Sequence, residues 1–509
     1  MTDRLFDVAV VGFGPSGAVA AALLGKAGLD VFVCDKQHDV YDKPRAIALD
    51  HEILRVFQQL GIVEQVEPFC EPFTDSVYYG VDGRMIRRMT MVAEPYPQGH
   101  VPSIVFTQPQ VEAVLRQAVR ALPNVTVATG MALAGLAQDD TAVTLDLLAE
   151  GGGLQTVRAR YVIGCDGASS TTRGLVGLAL EDLDFDEPWL VIDVLANERG
   201  LAKLPTTSVQ YCEPERPCSF LICPGNHRRW EISLKDGEDP KQAATPEGAW
   251  QHLSRWIGPD DATLWRQASY RFHALVAERW RAGRVFIAGD AAHQQPPFLG
   301  QGMCQGVRDV ANLAWKLTDV LRGRVAGDAA ERLLDSYGTE RKAFVRALTT
   351  TIKSIGAVIC ERDPAKARER DDRLLAASGG SVKPTPRQDV LPRLVDGLVT
   401  DTPAAGTLFP QPWVQHAGRR QRLDDIVGTG WRVVTAVGFE APVLPAALDL
   451  RLAALGPSLP EADGVLADWF AVHGARAAVV RPDHYVYGTA ADAAALQALL
   501  AGLRVQLRS

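Results

Sequence analysis

Three glycine-bearing segments, far apart in a chain of 509 residues, carry the residue types that hold an extended, phosphate-linked ligand. The first, Gly12-Phe13-Gly14-Pro15-Ser16-Gly17, has GxGxxG spacing. Gly12 allows a tight turn, Gly14 removes a Cβ so that backbone can approach a pyrophosphate, and Gly17 lets the next helix pack close to its strand. Asp35 follows near the ~20-residue offset at which an acid accepts hydrogen bonds from ribose hydroxyls. The second segment is Cys165-Asp166-Gly167-Ala168-Ser169-Ser170. Read alone it is equally a plain β-turn, since Asp-Gly is a common turn pair. The third runs from Gly289-Asp290-Ala291-Ala292-His293 through Pro296-Pro297 to Gly300-Gln301-Gly302-Met303. Asp290 can accept hydrogen bonds from a sugar-alcohol chain, and Gly302 leaves a helix N-terminus open to a polar ligand. His293, beside prolines, reads either as a packing and hydrogen-bonding residue or as a proton shuttle.

Each segment needs a strand to deliver it. Val8 to Val11 is a β-branched run ahead of the first glycines, Ala18 to Ala27 is rich in helix-forming Ala and Leu, and Val31 to Cys34 reads as the next strand. The order is therefore strand, glycine turn, helix, strand, acid. Ala159 to Gly164 delivers the second segment and Arg284 to Ala288 the third, with a helical pattern from Met303 to Leu321 behind it. Val8 to Gly25 is uncharged and long enough to score as a membrane span, but its Gly-Pro-Ser-Gly interruption and missing basic flank argue against a span or a signal peptide.

Composition bounds the class. A chain of this length exceeds one core, so two or three domains are expected. Hydrophobic content of 47% and charged content of 22% are ordinary for a globular protein. The 53 basic and 61 acidic residues give a net charge of −8, which disfavours nucleic acid or an anionic membrane as the main partner. The eight cysteines are scattered without CxxC or zinc-type spacing, which suggests reduced thiols in a cytoplasmic protein and no metal site. Neither HExxH nor GxSxG occurs.

Taken together, the three segments resemble the single-component flavoprotein aromatic hydroxylases of the p-hydroxybenzoate and phenol hydroxylase type, and most closely the 3-(3-hydroxyphenyl)propionate hydroxylases. Supporting stretches are Val10 to Gly17, Lys43-Pro44-Arg45-Ala46-Ile47-Ala48-Leu49-Asp50, Thr107-Gln108-Pro109-Gln110-Val111-Glu112, Cys165 to Ser169, Gly289 to Gly302, and Asp309 to Leu317. The resemblance implies FAD as cofactor. Gly12, Gly14, Pro15, Ser16, Gly17, Asp35 and Lys36 would hold its ADP half, with Arg45 over the pyrophosphate. Gln108 would reach the ribityl region, where Gly289 and Asp290 hold the chain. Pro297, Gly300, Gln301, Gly302 and Met303 would face the flavin ring. Asp166 would serve both FAD and the nicotinamide nucleotide. Cys304 stands where the family commonly has asparagine, which puts the ring contact there in doubt.

The activity so implied is hydroxylation of a phenolic aromatic, such as a 3-hydroxyphenylpropionate-like acid, with O2 and NAD(P)H through a C4a-hydroperoxyflavin. A flavin-binding redox sensor or reductase on the same fold is the alternative; a halogenase would carry a WxWxIP motif, which is absent. The expected fold is α/β: a Rossmann-like FAD-binding domain over 1–377, with β-rich substrate segments at about 76–106 and 180–275 interleaved, a linker over 378–406, and a thioredoxin-like C-terminal domain over 407–509. No cysteine follows Cys360, so that last domain performs no thiol redox chemistry; a structural or subunit-contact role in a homo-oligomer is expected of it. In the β-rich region Tyr211 and Arg229 are substrate-pocket candidates, Arg229 as a bidentate partner for a substrate carboxylate, or else ordinary sheet residues with solvent-facing tips. Tyr78, Tyr79 and Arg87 lie in an early hairpin and cannot be ranked.

Overall fold

The computed structural model describes residues 4–440, 442–445 and 448–508. Its first unit is built on a largely parallel sheet. Leu5–Val11 lies between Val31–Asp35 and Leu154–Gly164, and Val285–Ile287 pairs with the far side of Leu154–Gly164. Register aligns the strand ends: Val11 faces both Cys34 and Gly164, and Gly164 faces Ile287. All three delivering strands therefore stop at one edge, their carboxyl edge, where open α/β sheets bind ligands. Helix Pro15–Lys26 starts with Pro at its first position, where the missing N–H costs nothing, and packs its Ala and Leu residues into the main core beside helix Gly302–Leu321.

A second, nine-stranded sheet among the described residues runs in the order His293–Gln294, Ala262–Ala277, Leu180–Ala196, His227–Ser233, Cys218–Ile222, Ser208–Tyr211, Ser76–Tyr79, Met85–Thr90 and Pro384–Pro386. Side chains alternate across it. Leu190, Ile192, Phe220, Trp230 and Ile232 pack against the helix Pro246–Leu253 on one face. The opposite face, with Val191, Ser219 and Glu231, turns toward the first unit. The segment expected to be a linker departs from that expectation. Pro384–Pro386 adds an edge strand beside Met85–Thr90, and Arg387 reaches back to the carbonyl of Leu299.

The C-terminal unit has the thioredoxin-like arrangement of a four-stranded mixed sheet (Arg451–Ala454, Arg432–Thr435, Ala477–Val480, Val486–Ala490) with helices Val465–Val472 and Ala493–Arg508. It shares a core with the first unit: Trp315, Ala329 and Leu333 pack with Trp431, Val479 and Leu500. Buried ion pairs cross the same boundary, Arg55 Nε to Asp424 Oδ2 at 2.6 Å and Arg481 Nη2 to Glu340 Oε2 at 2.7 Å. Helix Gly327–Cys360 is long and apolar enough to cross a bilayer by composition, yet Glu340 and Arg341 on it are buried in these polar networks.

Candidate functional site

The three segments meet at the carboxyl edge. Gly12 has φ +99°, and a Cβ there would lie 2.4 Å from the Cys165 carbonyl oxygen. Gly289 has φ +62°, and its Cβ would lie 2.8 Å from Ser16 Oγ. The first segment thus touches the second and the third through positions that only glycine fills without strain. Hydrogen bonds fix the junctions: Gly12 N donates to Cys34 O at 2.7 Å, Cys165 N to Val11 O at 2.7 Å, and Ala288 N to Gly164 O at 2.9 Å. Gly14 differs, because a Cβ there would meet nothing within 4 Å. Open space lies before the N-terminus of helix Pro15–Lys26, where free N–H groups and the helix dipole favour a phosphate.

A cavity of about 1210 Å³ begins at this turn and runs to the nine-stranded sheet. It exceeds the ~300–1,000 Å³ of a drug-sized site, which leaves room for a dinucleotide and a small ring together. Gly12, Gly14, Pro15, Ser16, Asp35 and Lys36 line its first end. Gly17 and Gly289 do not line it; they enable the close packing beneath it. Asp35 faces the cavity while its oxygens accept from Phe13 N at 2.6 Å and Gln37 N at 2.7 Å, so the carboxylate also holds the glycine turn. Arg45 lines the cavity from an exposed loop, with its guanidinium over the Tyr41 ring. Gln108 holds that loop: its Oε1 accepts from Ala46 N at 2.6 Å and Arg45 N at 3.2 Å. Asp166 lines the cavity, but its carboxylate caps the following turn, accepting from Ser170 Oγ at 2.5 Å and from Thr172 N at 2.8 Å.

At the third segment Asp290 opens onto the cavity. Enclosure by the cavity walls raises its carboxyl pKa, against the pull of His293 and Arg45, although the side chain is exposed within the cavity. His293 is only 1% exposed, stacks on Trp280 and bonds Asp309 Oδ2 at 2.8 Å through Nε2. Asp309 also accepts from Gly289 N at 2.9 Å and Arg341 Nε at 2.9 Å. The histidine lines the cavity and clamps this hydrogen-bonded network, the packing and hydrogen-bonding role of its two sequence readings. Pro297, Gly300, Gly302 and Met303 line the cavity. Gln301 does not; its side chain bonds Asp50 Oδ2 and Arg308 Nη1, fixing the start of helix Gly302–Leu321. Cys304 is fully buried, with its Sγ 3.8 Å from Ala48 O, and lies away from the cavity lining.

The sheet wall corrects two further expectations. Arg229 lines the cavity, but Asp193 takes it in bidentate fashion at 2.7 and 2.9 Å, and it donates to Arg45 O at 2.6 Å and Pro44 O at 3.0 Å. It anchors the Arg45 loop and is not available as a clamp for a substrate carboxylate. Tyr211 falls on the other face of its strand, where its hydroxyl meets Trp256 Nε1 at 3.3 Å, while its neighbour Gln210 lines the cavity. Period-2 alternation separates them. Tyr78 is buried with its hydroxyl on Met89 Sδ, and neither it, Tyr79 nor Arg87 lines the cavity.

Residues not singled out from sequence complete the wall: Gln210, Ser219, Glu231, Phe272 and Phe298. The signal for Glu231 was present in His227 to Ser233, where Arg229, Glu231 and Ser233 alternate with Trp230 and Ile232. That pattern ordinarily marks a solvent-facing polar side; here all three polar residues are buried. A second cavity of about 900 Å³ lies between helix Gly302–Leu321 and the C-terminal unit, lined in part by Trp315, Trp431 and Asp483, and contains none of the three segments.

The donor set fits FAD: a glycine turn with open space at Gly14, an acid on the adjacent strand end, and a helix start at Gly302 that lines the same cavity. Residues 6–351 match the FAD binding domain family, and residues 406–461 and 454–506 match the HcaD C-terminal domain. A probable NADH-specific resorcinol 4-hydroxylase of Rhodococcus jostii (strain RHA1) is 35% identical, over 97% of this chain and 94% of that protein. A 3-(3-hydroxy-phenyl)propionate/3-hydroxycinnamic acid hydroxylase of Burkholderia cenocepacia (strain HI2424) is 32% identical, over 98% of this chain and 97% of that protein. The crystal structure of the flavin-dependent monooxygenase PieE, in complex with FAD and substrate, superposes with a TM-score of 0.83 at 20% identity, covering 100% of both chains.

Proposed function

The chain belongs to the FAD binding domain family, and from that membership we propose that it is an FAD-dependent monooxygenase that adds one hydroxyl to a phenolic aromatic. The balance is phenol plus O2 plus NAD(P)H plus a proton, giving the dihydroxylated or trihydroxylated ring, NAD(P)⁺ and water. When bound and reduced, the flavin supplies the oxygen-activating chemistry, and the protein supplies position and dryness.

The observation that carries the reading is the meeting of three segments on one cavity that continues to a buried sheet wall. In this reading the Gly14 turn and the following helix start take the pyrophosphate, and Asp35 takes the adenosine ribose. Arg45 screens the phosphate charge, Asp290 holds the ribityl hydroxyls, and Gly300 to Met303 support the ring. Phe272 and Phe298 form part of the apolar lining that keeps water from the reacting centre, where water would divert turnover to hydrogen peroxide. The resorcinol hydroxylase relative supports NADH as the donor and an unsubstituted dihydroxybenzene as substrate; the hydroxyphenylpropionate relatives support a longer, carboxylated phenol.

The test is direct. Purified protein should be yellow, release FAD on denaturation, and oxidise NADH faster when a phenol is added, with O2 uptake and a product one oxygen heavier. Flavin-loaded protein whose NADH oxidation no phenol stimulates would instead be a reductase or sensor.

A further inference from the structure

One acidic group on the cavity wall is held by no hydrogen bond among the described residues. Glu231 is 6% exposed, lines the cavity, and accepts no hydrogen bond among the described residues. Its nearest cation, Arg229 Nη1, is 4.0 Å away and donates instead to Arg45 O at 2.6 Å. Across the register Glu231 pairs with Ser219, which pairs with Gln210, so the three stand side by side on adjacent strands. Ser219 Oγ donates to Gln210 Oε1, which leaves Gln210 Nε2 without a partner among the described residues. The wall thus presents an acceptor and a donor about 10 Å apart at the backbone, two strand spacings, with a hydroxyl between them.

A buried carboxyl with one long ion pair and no hydrogen bond is costly, and such groups mark working sites. We propose that Glu231 is the base that takes the proton from the hydroxyl of the aromatic substrate, on a wall that selects an uncharged dihydroxybenzene over a phenol carrying a carboxylate. This rests on the hydroxylase reading above. In the step, the phenolic O–H bond breaks, the proton joins a Glu231 oxygen, and the electron pair remains on the phenol oxygen. No electron leaves the ring. The phenolate is richer in electron density ortho and para to that oxygen, where hydroxylation occurs. Gln210 Nε2 donates to the second hydroxyl.

The surroundings suit the task. Burial pushes the Glu231 carboxyl up to about 7, against the lowering influence of Arg229 and Arg266, with Asp193 raising it further. A base poised near the working pH is the most effective one. The two arginines of this wall are committed: Arg229 to Asp193 and the loop carbonyls, Arg266 to Pro44 O at 2.6 Å and to the Tyr270 hydroxyl. A substrate carboxylate placed beside Glu231 would meet that carboxyl and two arginines already engaged by other partners. Arg387, just past the edge strand Pro384–Pro386 of the same sheet, donates to Leu299 O at 2.8 Å and lies over the Phe73 ring.

The experiment uses the FAD-loaded enzyme with two probes, resorcinol and 3-(3-hydroxyphenyl)propionate, across pH. Wild type should prefer resorcinol at least about tenfold in kcat/KM, with an acid limb near 7. Glu231→Gln, with native flavin content as the folding control, should lose about a hundredfold or more in resorcinol turnover, the usual contribution of a positioned base, and lose the acid limb. Glu231→Asp should recover part of the rate. An active wild type with no acid limb, a preference for the carboxylated probe, or a Glu231→Gln enzyme within about threefold of wild type would each overturn the proposal alone. A wild type that neither probe stimulates would overturn the hydroxylase reading, and this proposal with it.

Discussion

Gly14 separates folding from ligand binding more cleanly than any other position in the chain. Its φ is −69° and a Cβ there meets nothing, so the apoprotein should accept Gly14→Ala with little loss of stability. The same methyl occupies the space a pyrophosphate needs, so FAD affinity should fall at least tenfold; equal affinity, measured by flavin fluorescence titration, would remove the phosphate assignment. Gly12→Ala makes the contrast. At φ +99°, with Cβ 2.4 Å from Cys165 O, it should destabilise the fold itself in urea denaturation. Asp290→Ala should lower flavin retention on dialysis, and unchanged flavin content would contradict its role. Glu231 carries a pH signature of its own. Its folded pKa of about 7 lies above the ordinary 4.5, so the folded state binds the extra proton between those values. Stability should therefore be greatest below about 4.5 as far as this group is concerned, and should fall as pH rises toward 7. The loss is up to about 3 kcal/mol, which Glu231→Gln should abolish in denaturation curves at different pH.

At the level of elements, the glycine turn was legible because its physics is local: strand, positive-φ glycine, helix start and acid lie within 35 residues. The substrate wall was not, because its logic is carried by register. Arg229 stays open between a substrate clamp and an ordinary sheet residue until Asp193, 36 residues away, is seen to take it in the paired strand. Glu231 looks solvent-facing until the first unit closes over its side of the sheet. Ser378 to Arg387 has linker composition, yet three of its residues extend the sheet and the last reaches Leu299, beside the cavity-lining Gly300. A further prediction belongs to this scale. Arg229→Ala leaves Asp193 buried with only His227 at 2.7 Å and Arg266 at 3.7 Å, and removes two of the hydrogen bonds that hold the loop of Arg45, leaving those from Gln108 and Arg266. The expected cost is about 3–5 kcal/mol of stability, together with weaker FAD binding. Native stability with native flavin content would show that the loop needs no such anchor.

For the whole molecule, the three segments pointed to the FAD binding domain that residues 6–351 match, whereas the way the C-terminal unit docks was not legible in them. Trp431 and Leu500 complete a core begun by Trp315 and Leu333, and Asp483 accepts from both Asn312 and Trp315 on the helix that starts at the cavity-lining Gly302. A truncation before Thr407 should therefore expose that core and leave Glu340 with fewer partners, giving insoluble or flavin-poor protein; a soluble truncation with full turnover would show the unit to be dispensable. The convergence of Gly12 to Gly17, Cys165 to Gly167 and Gly289 to Gly302 on one cavity is tested most directly by titrating FAD into wild-type and Gly14→Ala apoprotein under identical conditions. One FAD per wild-type chain, with affinity at least tenfold weaker in the folded variant, is the expected result. Failure of the wild-type chain to bind FAD, or indistinguishable affinities, would contradict it.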